Sequence, residues 1–408
     1  MDQITHRSMD VHGLRMHIAE AGTGPLVLLL HGWPESWYSW RHQLPALAAA
    51  GYHVVAPDQR GYGDTDVPER VEDYTIEHLT GDVVALIDAL GEESAVVVGH
   101  DWGALVGWEL AKAYPERVQA LAALSVPDRF ADPADPAATP IAELRAALGE
   151  FFYIVHFQQP GVADAAFDAA LRADPQRLVR RLLYSGSGDG PGWSTMVPEG
   201  GTIVDSLLDD PATLPGWANE QDVKTYAAQF ERCGFTGGLN WYRNFDRNWE
   251  LSAVWRHNPI QAPVLFLIGP DRGGGIGWSG SSPASAVRIA AQLAPCLRAR
   301  PGGSARPAWP RSRPGSPAEG LDLPPEVSVV ADGDGELVTD AGTHRRCALL
   351  SLTVCEKLYP GLLLAAPDLS NNGTVRGVGE PQQAELPLGR CRCGYSPLSW
   401  QQTWLYTA

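Results

Sequence analysis

The 408-residue sequence lacks any excess of positive charge, since its formal net charge at pH 7 is −17. A nucleic-acid backbone requires a basic protein face, so this charge balance excludes nucleic acid as a partner. No apolar run reaches the length that crosses a bilayer, and residues 1–7 carry no apolar signal segment. We therefore expect no membrane association and a cytoplasmic location.

Cysteines are few, and their spacing does not suit a metal. Five of the six lie after residue 270, and the closest pair, Cys391 and Cys393, is separated by one residue without a histidine cluster beside it. Gly61-Tyr62-Gly63 also lacks the Lys-Ser or Lys-Thr pair that a nucleotide-binding loop needs. The sequence therefore predicts no metal and no cofactor.

What the sequence does contain is an aspartate between a predicted strand and a predicted helix. Residues 95–98 are small or β-branched, as in a buried parallel strand, and residues 104–114 have helix-forming composition. Between them, Gly99-His100-Asp101-Trp102-Gly103 places Asp101 where a sharp turn presents a nucleophile. A carboxylate there predicts attack on carbon and an ester intermediate, whereas a helix-capping aspartate is the structural alternative.

A second motif follows another apolar run. Residues 26–30 read as a buried strand and lead into His31-Gly32-Trp33-Pro34. A loop at this point can supply one backbone N–H of an oxyanion hole, and the residue after the nucleophile supplies the other. The predicted donors are Trp33 and Trp102, while His31 is predicted to pack the loop rather than to act as a base.

These motifs together resemble the soluble epoxide hydrolase family of the α/β-hydrolase fold. The resemblance rests on residues 31–41, 58–63 and 99–103 and covers residues 1–270 approximately. It implies an α/β fold with a mostly parallel sheet and an inserted helical cap. The implied organisation is a first core part at 1–128, a cap at 129–255, a core strand within 256–270 and an atypical C-terminal region at 271–408.

The resemblance continues into the cap. Residues 151–161 and 238–244 resemble the family segments that carry two cap tyrosines, here Tyr153 and Tyr242. Ring opening of an epoxide releases an alkoxide, and phenols with a pKa near 10 remain protonated at neutral pH and can donate to it. Ordinary core packing is the alternative for either tyrosine alone. The expected partners are a small apolar epoxide and water, and the predicted pocket is lined by His31, Pro34, Trp37, Phe152 and Trp241.

The parts of the sequence that would carry the family's acid and histidine resemble the family least. Asp271 follows the predicted strand 263–269 near the family's acid position, although an exposed turn residue is the alternative, and Asp128 is a further acid position. The family's Gly-His-Trp segment is absent, and the only histidine after His257 is His344, whose surroundings differ from it. We therefore expect ester formation with impaired hydrolysis.

Residues 271–408 depart from the family in composition. Residues 299–320 hold five prolines, four glycines and four arginines, which is typical of a linker. A shift of reading frame, a fusion and disorder are all open explanations. Three functional hypotheses stay open: an epoxide hydrolase, a haloalkane dehalogenase-like hydrolase that uses Trp102 to bind halide, and an inactive remnant that binds small apolar molecules. The two cap tyrosines favour the first.

Overall fold

A computed structural model describes residues 4–128, 138–187 and 193–268, together with the backbone of one further strand at 328–332. Asp271 and His344, the candidate acid and base, lie outside the described residues. The structure therefore describes the surroundings of Asp101, Tyr153, Tyr242, Trp33 and Trp102, and the roles of all these residues stay predictions.

The core is an eight-stranded sheet whose five middle strands are parallel. The strands are β1 (Thr5–Val11), β2 (Leu14–Ala21), β3 (Leu26–Leu30), β4 (His53–Pro57), β5 (Ala95–His100), β6 (Val118–Leu124), β7 (Val264–Ile268) and β8 (Ser328–Asp332). Their order across the sheet is β1-β2-β4-β3-β5-β6-β7-β8. The β1–β2 hairpin forms one antiparallel edge, and β8 pairs antiparallel with β7 at the other. The predicted mostly parallel sheet is confirmed.

The middle strands are buried along their whole length. Every residue of β3 and β5 is buried, which is typical of parallel strands covered on both faces. The core helices are α1 (Gln43–Ala49), α2 (Ile76–Ala89) and α3 (Trp102–Ala113), and α3 packs on β5 and β6. The carboxyl ends of β3 and β5 lie side by side because these strands pair in parallel, so the two sequence motifs meet at one edge of the sheet.

Between β6 and β7 the described chain is helical. We call this part the helical insertion, and it comprises α4 (Pro140–Leu148), α5 (Tyr153–His156), α6 (Val162–Ala173), α7 (Pro175–Ser185), α8 (Glu220–Cys233), α9 (Thr236–Arg243) and α10 (Phe245–Ser252). Short 3₁₀ helices occur at Trp37–Trp40, Val71–Tyr74, Pro115–Arg117 and Ile203–Ser206. Among the helices that the structure describes, none combines the length and the apolar character that crossing a membrane requires.

Candidate active site

Asp101 forms the turn between β5 and α3. Its φ of 54° and ψ of −120° lie in the left-handed half of backbone space, which costs a non-glycine residue about 1–3 kcal/mol. Its backbone is held on both sides, because its N–H donates to the Leu124 carbonyl and its own carbonyl accepts from Ala104 and Leu105. The strained turn is thus fixed by the sheet and by the first turn of α3, as in other strand-to-helix turns that present a nucleophile.

The glycines around this turn allow the chains to approach closely. A Cβ on Gly99 would lie 2.1 Å from the Gly103 carbonyl oxygen, and a Cβ on Gly103 would lie 2.1 Å from the Leu30 carbonyl oxygen. A Cβ on Gly32 would lie 2.4 Å from the Asp101 Cβ. Only glycine fits at these positions, so both motifs depend on their small residues to bring the β3 loop against the Asp101 side chain.

Two backbone donors hold the Asp101 carboxylate. The Trp33 N–H donates to Oδ1 at 2.8 Å, and the Trp102 N–H donates to the same side chain. Only 5% of Asp101 is exposed, and burial raises the pKa of its carboxyl, although His100 and the two N–H groups partly offset this effect. The two predicted oxyanion-hole donors therefore face the carboxyl group of the predicted nucleophile.

Tyr242 on α9 lies over the Asp101 turn. Its ring meets Trp102 edge-on at a centroid distance of 5.1 Å and Trp33 at 5.8 Å. Burial raises the pKa of the Tyr242 phenol well above 10, and the nearby Asp101 charge raises it further. The phenol is therefore protonated at neutral pH and is able to donate a hydrogen bond.

Tyr153 is the first residue of α5, and its ring belongs to the same group of aromatic side chains as Tyr242. Its ring centroid lies 6.0 Å from that of Tyr242 and 5.2 Å from that of Trp193. Phe157 contacts both tyrosines, at 5.6 Å and 5.2 Å. The helical insertion thus brings together two tyrosines that are 89 positions apart in the sequence, and it places one of them against Trp33 and Trp102.

Phe152, Trp241 and Pro34 of the predicted pocket lining are all buried. Phe152 is buried and packs edge-on against Tyr153 at 5.0 Å. The Trp241 ring packs between Tyr62 and Trp102, and its N–H donates to the Arg60 carbonyl. Pro34 follows a cis peptide bond after Trp33.

Trp37 faces another part of the molecule. Its ring contacts His6 at 4.7 Å, Tyr38 at 5.3 Å and His17 at 6.4 Å. These contacts place it at the β1–β2 edge of the sheet, where it lines a surface groove. Trp37 therefore stands apart from the rings around Asp101.

His31 is held by hydrogen bonds at both ring nitrogens. Its Nδ1 lies 2.9 Å from the Gly32 carbonyl, and its Nε2 accepts the Gln59 N–H at 3.1 Å. Burial lowers the pKa of this imidazole, so it is neutral at pH 7 with Nδ1 as the donor. Both ring nitrogens are hydrogen-bonded to backbone groups, which is consistent with the predicted packing role.

A buried Glu35–His100 pair beside Asp101 was not predicted from the sequence. His100 Nδ1 lies 2.8 Å from Glu35 Oε1, and both side chains are almost fully buried. The pKa of Glu35 is lowered because the attraction and hydrogen bond of His100 outweigh burial, which alone would raise it. The His100 charge also counteracts the effect of burial on the pKa of Asp101. Both residues lie in the motif segments 31–41 and 99–103, but the segments alone do not show that these two side chains pair.

Two hydrogen-bond donors, the Tyr62 hydroxyl and the Trp33 indole N–H, lie beside α9. A Cβ on Gly238 would lie 2.7 Å from the Tyr62 hydroxyl and 3.0 Å from Trp33 Nε1. Both groups are buried and have no hydrogen-bond partner within the part of the chain that the structure describes. Glycine at 238 therefore allows α9 to pack closely against Tyr62 and Trp33, where any larger residue would clash.

Asp128 belongs to a charged cluster at the far end of α3. Its Oδ1 lies 2.6 Å from Lys112 Nζ, which also binds Glu109 Oε1 at 3.0 Å, while Glu109 Oε2 accepts the Trp255 N–H at 2.7 Å. Asn258 donates to the Lys112 carbonyl. Asp128 precedes the helical insertion and Trp255 follows it. Side chains of α3 therefore bind both of the chain segments that connect the insertion to the sheet. Asp128 thus serves here as a partner of Lys112.

This cluster yields a prediction about stability. Burial acts to lower the pKa of Lys112, but the Glu109 and Asp128 carboxylates outweigh it and the pKa is raised. Lys112→Met would leave the buried Glu109 without its cation, a change that costs about 3–5 kcal/mol. We expect urea denaturation to show this loss.

The control is Arg247→Met, which breaks the exposed pair of Arg247 with Glu250 at the same i,i+3 spacing. Exposed pairs contribute about 0–1 kcal/mol. A loss below about 1 kcal/mol in Lys112→Met would contradict the interpretation of the cluster as a structural clamp.

Known proteins that resemble this chain include epoxide hydrolases, and the matching family model is that of the α/β-hydrolase fold. The family described as alpha/beta hydrolase fold matches residues 25–271. Epoxide hydrolase A of Mycobacterium tuberculosis is 48% identical over 272 residues, covering 65% of this chain and 81% of that protein. Epoxide hydrolase 3 of Siraitia grosvenorii is 46% identical over 269 residues, covering 66% and 81%. A crystal structure of an epoxide hydrolase from Vigna radiata superimposes with a TM-score of 0.59 at 46% identity, covering 65% and 80%.

The family match ends at residue 271, the point at which the sequence motifs of the family also end. Within the matched part, the identity exceeds 40% with each of these relatives, and more than two thirds of each relative is covered. The α/β sheet is the one that the sequence motifs predicted. The chain therefore belongs to the epoxide hydrolase family of the α/β-hydrolase fold.

Proposed function

We propose that this protein opens small apolar epoxides through a covalent ester on Asp101. The observation that carries the proposal is the Asp101 turn, whose carboxylate accepts the Trp33 N–H at 2.8 Å while Tyr242 lies over Trp102. A buried carboxylate held by two N–H groups beside a protonated phenol has the parts that ring opening needs. The names of the relatives support the same substrate class.

The first step joins one Asp101 carboxylate oxygen to a ring carbon from the side opposite the ring oxygen. The carbon–oxygen bond of the ring breaks, its electron pair passes to the ring oxygen, and this oxygen takes a proton from Tyr153 or Tyr242. The product is a hydroxyalkyl ester of Asp101. Both phenols belong to the helical insertion, which would act as the cap over the nucleophile.

The second step needs water and a base. The base takes a proton from water, and the water oxygen adds to the ester carbonyl, whose oxygen becomes the oxyanion that the Trp33 and Trp102 N–H groups stabilise. Collapse of this intermediate breaks the acyl carbon–oxygen bond, releases the diol after proton transfer to its oxygen and restores the Asp101 carboxylate. The candidates for the orienting acid and the base are Asp271, which lies near the family's acid position, and His344, whose surroundings differ from the family's histidine segment. We propose that ester formation is efficient and that hydrolysis is slow, so the ester accumulates.

Styrene oxide separates the hypotheses, provided that diol release and intact protein mass are followed together. Accumulation of one adduct per chain with little diol is the result expected here. Rapid diol formation without an adduct would contradict the slow second step, but it would still support an epoxide hydrolase. A folded sample that gives neither signal would favour the inactive remnant that only binds small apolar molecules.

The alternative dehalogenase activity differs in its leaving group. A halide leaves without a proton, so that reaction would not need the two tyrosines. Incubation with a haloalkane should release no halide above background. Halide release that persists in a Tyr153→Phe, Tyr242→Phe double variant would favour the dehalogenase instead.

The rate of ester formation should fall in acid and hold in mild alkali. Asp101 attacks only when ionised, and burial raises the pKa of its carboxyl, so the rate should fall as the pH is lowered through a value above about 4. The pKa of Tyr242 is raised well above 10, so we expect no loss between neutral pH and about pH 9. Single-turnover rates across this range provide the measurement. A rate that increases towards acid would contradict the carboxylate nucleophile.

A further inference from the structure

The position of Tyr153 depends on contacts from outside its own helix. Tyr153 is the first residue of α5, which has only four residues, and the side chain of the preceding Phe152 does not cap this helix. A helix of one turn is not stable by itself in water. The segments that pack against α5 therefore determine where the Tyr153 phenol lies.

One of these segments comprises residues 193–197, which we call the 193–197 segment. The Tyr153 N–H donates to the Thr195 carbonyl at 2.9 Å, and the Val197 N–H donates to the Phe151 carbonyl at 2.7 Å. The two stretches of chain pair antiparallel. An N–H in the first turn of a helix has no partner within the helix, so the 193–197 segment supplies the partner that Tyr153 needs. The backbone at the start of α5 is fixed in this way.

Trp193 adds a side-chain contact to this backbone pairing. Its side chain is buried, and its ring centroid lies 5.2 Å from that of Tyr153. Its indole N–H donates to Ser206 Oγ at 3.2 Å, and the Ser206 hydroxyl donates to the Ile203 carbonyl at 2.6 Å. The 3₁₀ helix at 203–206 therefore holds the polar end of the indole while its ring packs against the phenol ring of Tyr153.

Trp193 distinguishes between the two tyrosines. Among the ring contacts within the described residues, the Trp193 ring meets the Tyr153 ring alone. Phe157, by contrast, contacts Tyr153, Tyr242 and Trp33. Tyr242 lies on α9, and its ring packs on Trp33. A change at Trp193 is therefore expected to disturb Tyr153 and to leave Tyr242 in place.

We infer that Trp193 is a positioning residue that directs the Tyr153 phenol towards the epoxide oxygen, an inference that rests on the proposed function. Trp193 supplies no proton, because its N–H is bound to Ser206. The Tyr153 phenol contributes to the raised pKa of Tyr242, which indicates that the two phenols lie close together. If the Tyr153 ring turns away, Tyr242 has to donate to the ring oxygen without it.

The test is a double-mutant cycle that follows ester formation from styrene oxide by intact mass, in single turnovers at saturating epoxide. Trp193→Leu should slow this step by about tenfold, since misplacement of a reacting group costs up to about 100-fold. The loss should not exceed that of Tyr153→Phe, because Trp193 acts through the Tyr153 hydroxyl. Added to Tyr153→Phe, the same change should alter the rate by less than about twofold. Added to Tyr242→Phe, it should again cost about tenfold or more, since the reaction then depends on Tyr153.

Two further variants separate positioning from packing. Trp193→Phe keeps an aromatic ring against Tyr153 and should restore most of the wild-type rate. Trp217→Leu is the matched control, because Trp217 belongs to the same insertion and its N–H also donates to a serine, Ser187, at 3.1 Å. This control should form the ester at the wild-type rate. Circular dichroism checks that each variant is folded.

An equal loss from Trp193→Leu in the wild type and in Tyr153→Phe would overturn the inference, because the effect would then not pass through the Tyr153 hydroxyl. A wild-type rate in folded Trp193→Leu would also overturn it. If Trp193→Leu fails to fold, Ser206→Ala takes its place in the cycle, with a smaller loss that should again vanish in Tyr153→Phe. A wild type that forms no ester would overturn the proposed function, and this inference with it.

Discussion

Asp101→Asn is expected to reduce the rate of ester formation from an epoxide by at least about 1000-fold, since an amide is not a nucleophile at neutral pH. Asparagine keeps the shape of the side chain, retains an oxygen for the Trp33 N–H and tolerates the left-handed φ of 54° better than alanine. Intact-mass kinetics at saturating epoxide provide the measurement.

The same variant carries its own control for folding. Burial raises the pKa of the Asp101 carboxyl, which means that the fold disfavours its charge. Replacing it by a neutral amide should therefore leave the free energy of unfolding unchanged or increase it. A folded variant that still forms the adduct at the wild-type rate would place the nucleophile elsewhere.

Tyr242→Phe is expected to slow ester formation by about 100-fold to 10,000-fold, because the ring oxygen loses a proton donor. Tyr242 contacts Trp33 and Trp102, the two residues whose N–H groups hold Asp101, so its loss should exceed that of Tyr153→Phe. Single-turnover rates of the two variants and of the double variant provide the comparison.

Tyr226→Phe is a matched control for the tyrosine variants. Tyr226 is also buried on a helix of the insertion, but its hydroxyl lies 2.8 Å from Ser39 Oγ. We expect its rate of ester formation to stay near that of the wild type even if its melting temperature falls. If the control and Tyr242→Phe lost the same activity, the effect would reflect packing rather than proton donation.

The two local motifs could be recognised in the sequence because the residues of each motif determine its backbone conformation. The Asp101 turn follows from a buried strand, two glycines and a helix, and the Trp33 loop follows from the neighbouring parallel strand. The contact between these motifs is set by the close approach of Gly32 to Asp101, which the sequence did not predict. The sequence therefore predicted the fold, and it predicted that the Trp33 loop meets the Asp101 turn at one edge of the sheet.

Contacts between distant segments could not be predicted in this way. Glu35 and His100 pair beside Asp101, and although each lies in one of the motifs, their pairing depends on how the two loops pack. The pairing of His6 with His17 depends on the register of the hairpin and on a carboxylate more than 40 positions further along. The ring contacts of Trp37 with those histidines likewise could not be predicted from the spacing of these residues. Each of these features depends on register and packing rather than on residue spacing.

Peptide mapping of the epoxide-treated protein tests the covalent step most directly. After brief incubation, acid quenching and digestion, tandem mass spectrometry should locate one added hydroxyalkyl group on the carboxyl of Asp101. A modification found only on another residue, such as a cysteine or a histidine, would contradict a carboxylate nucleophile at the end of β5.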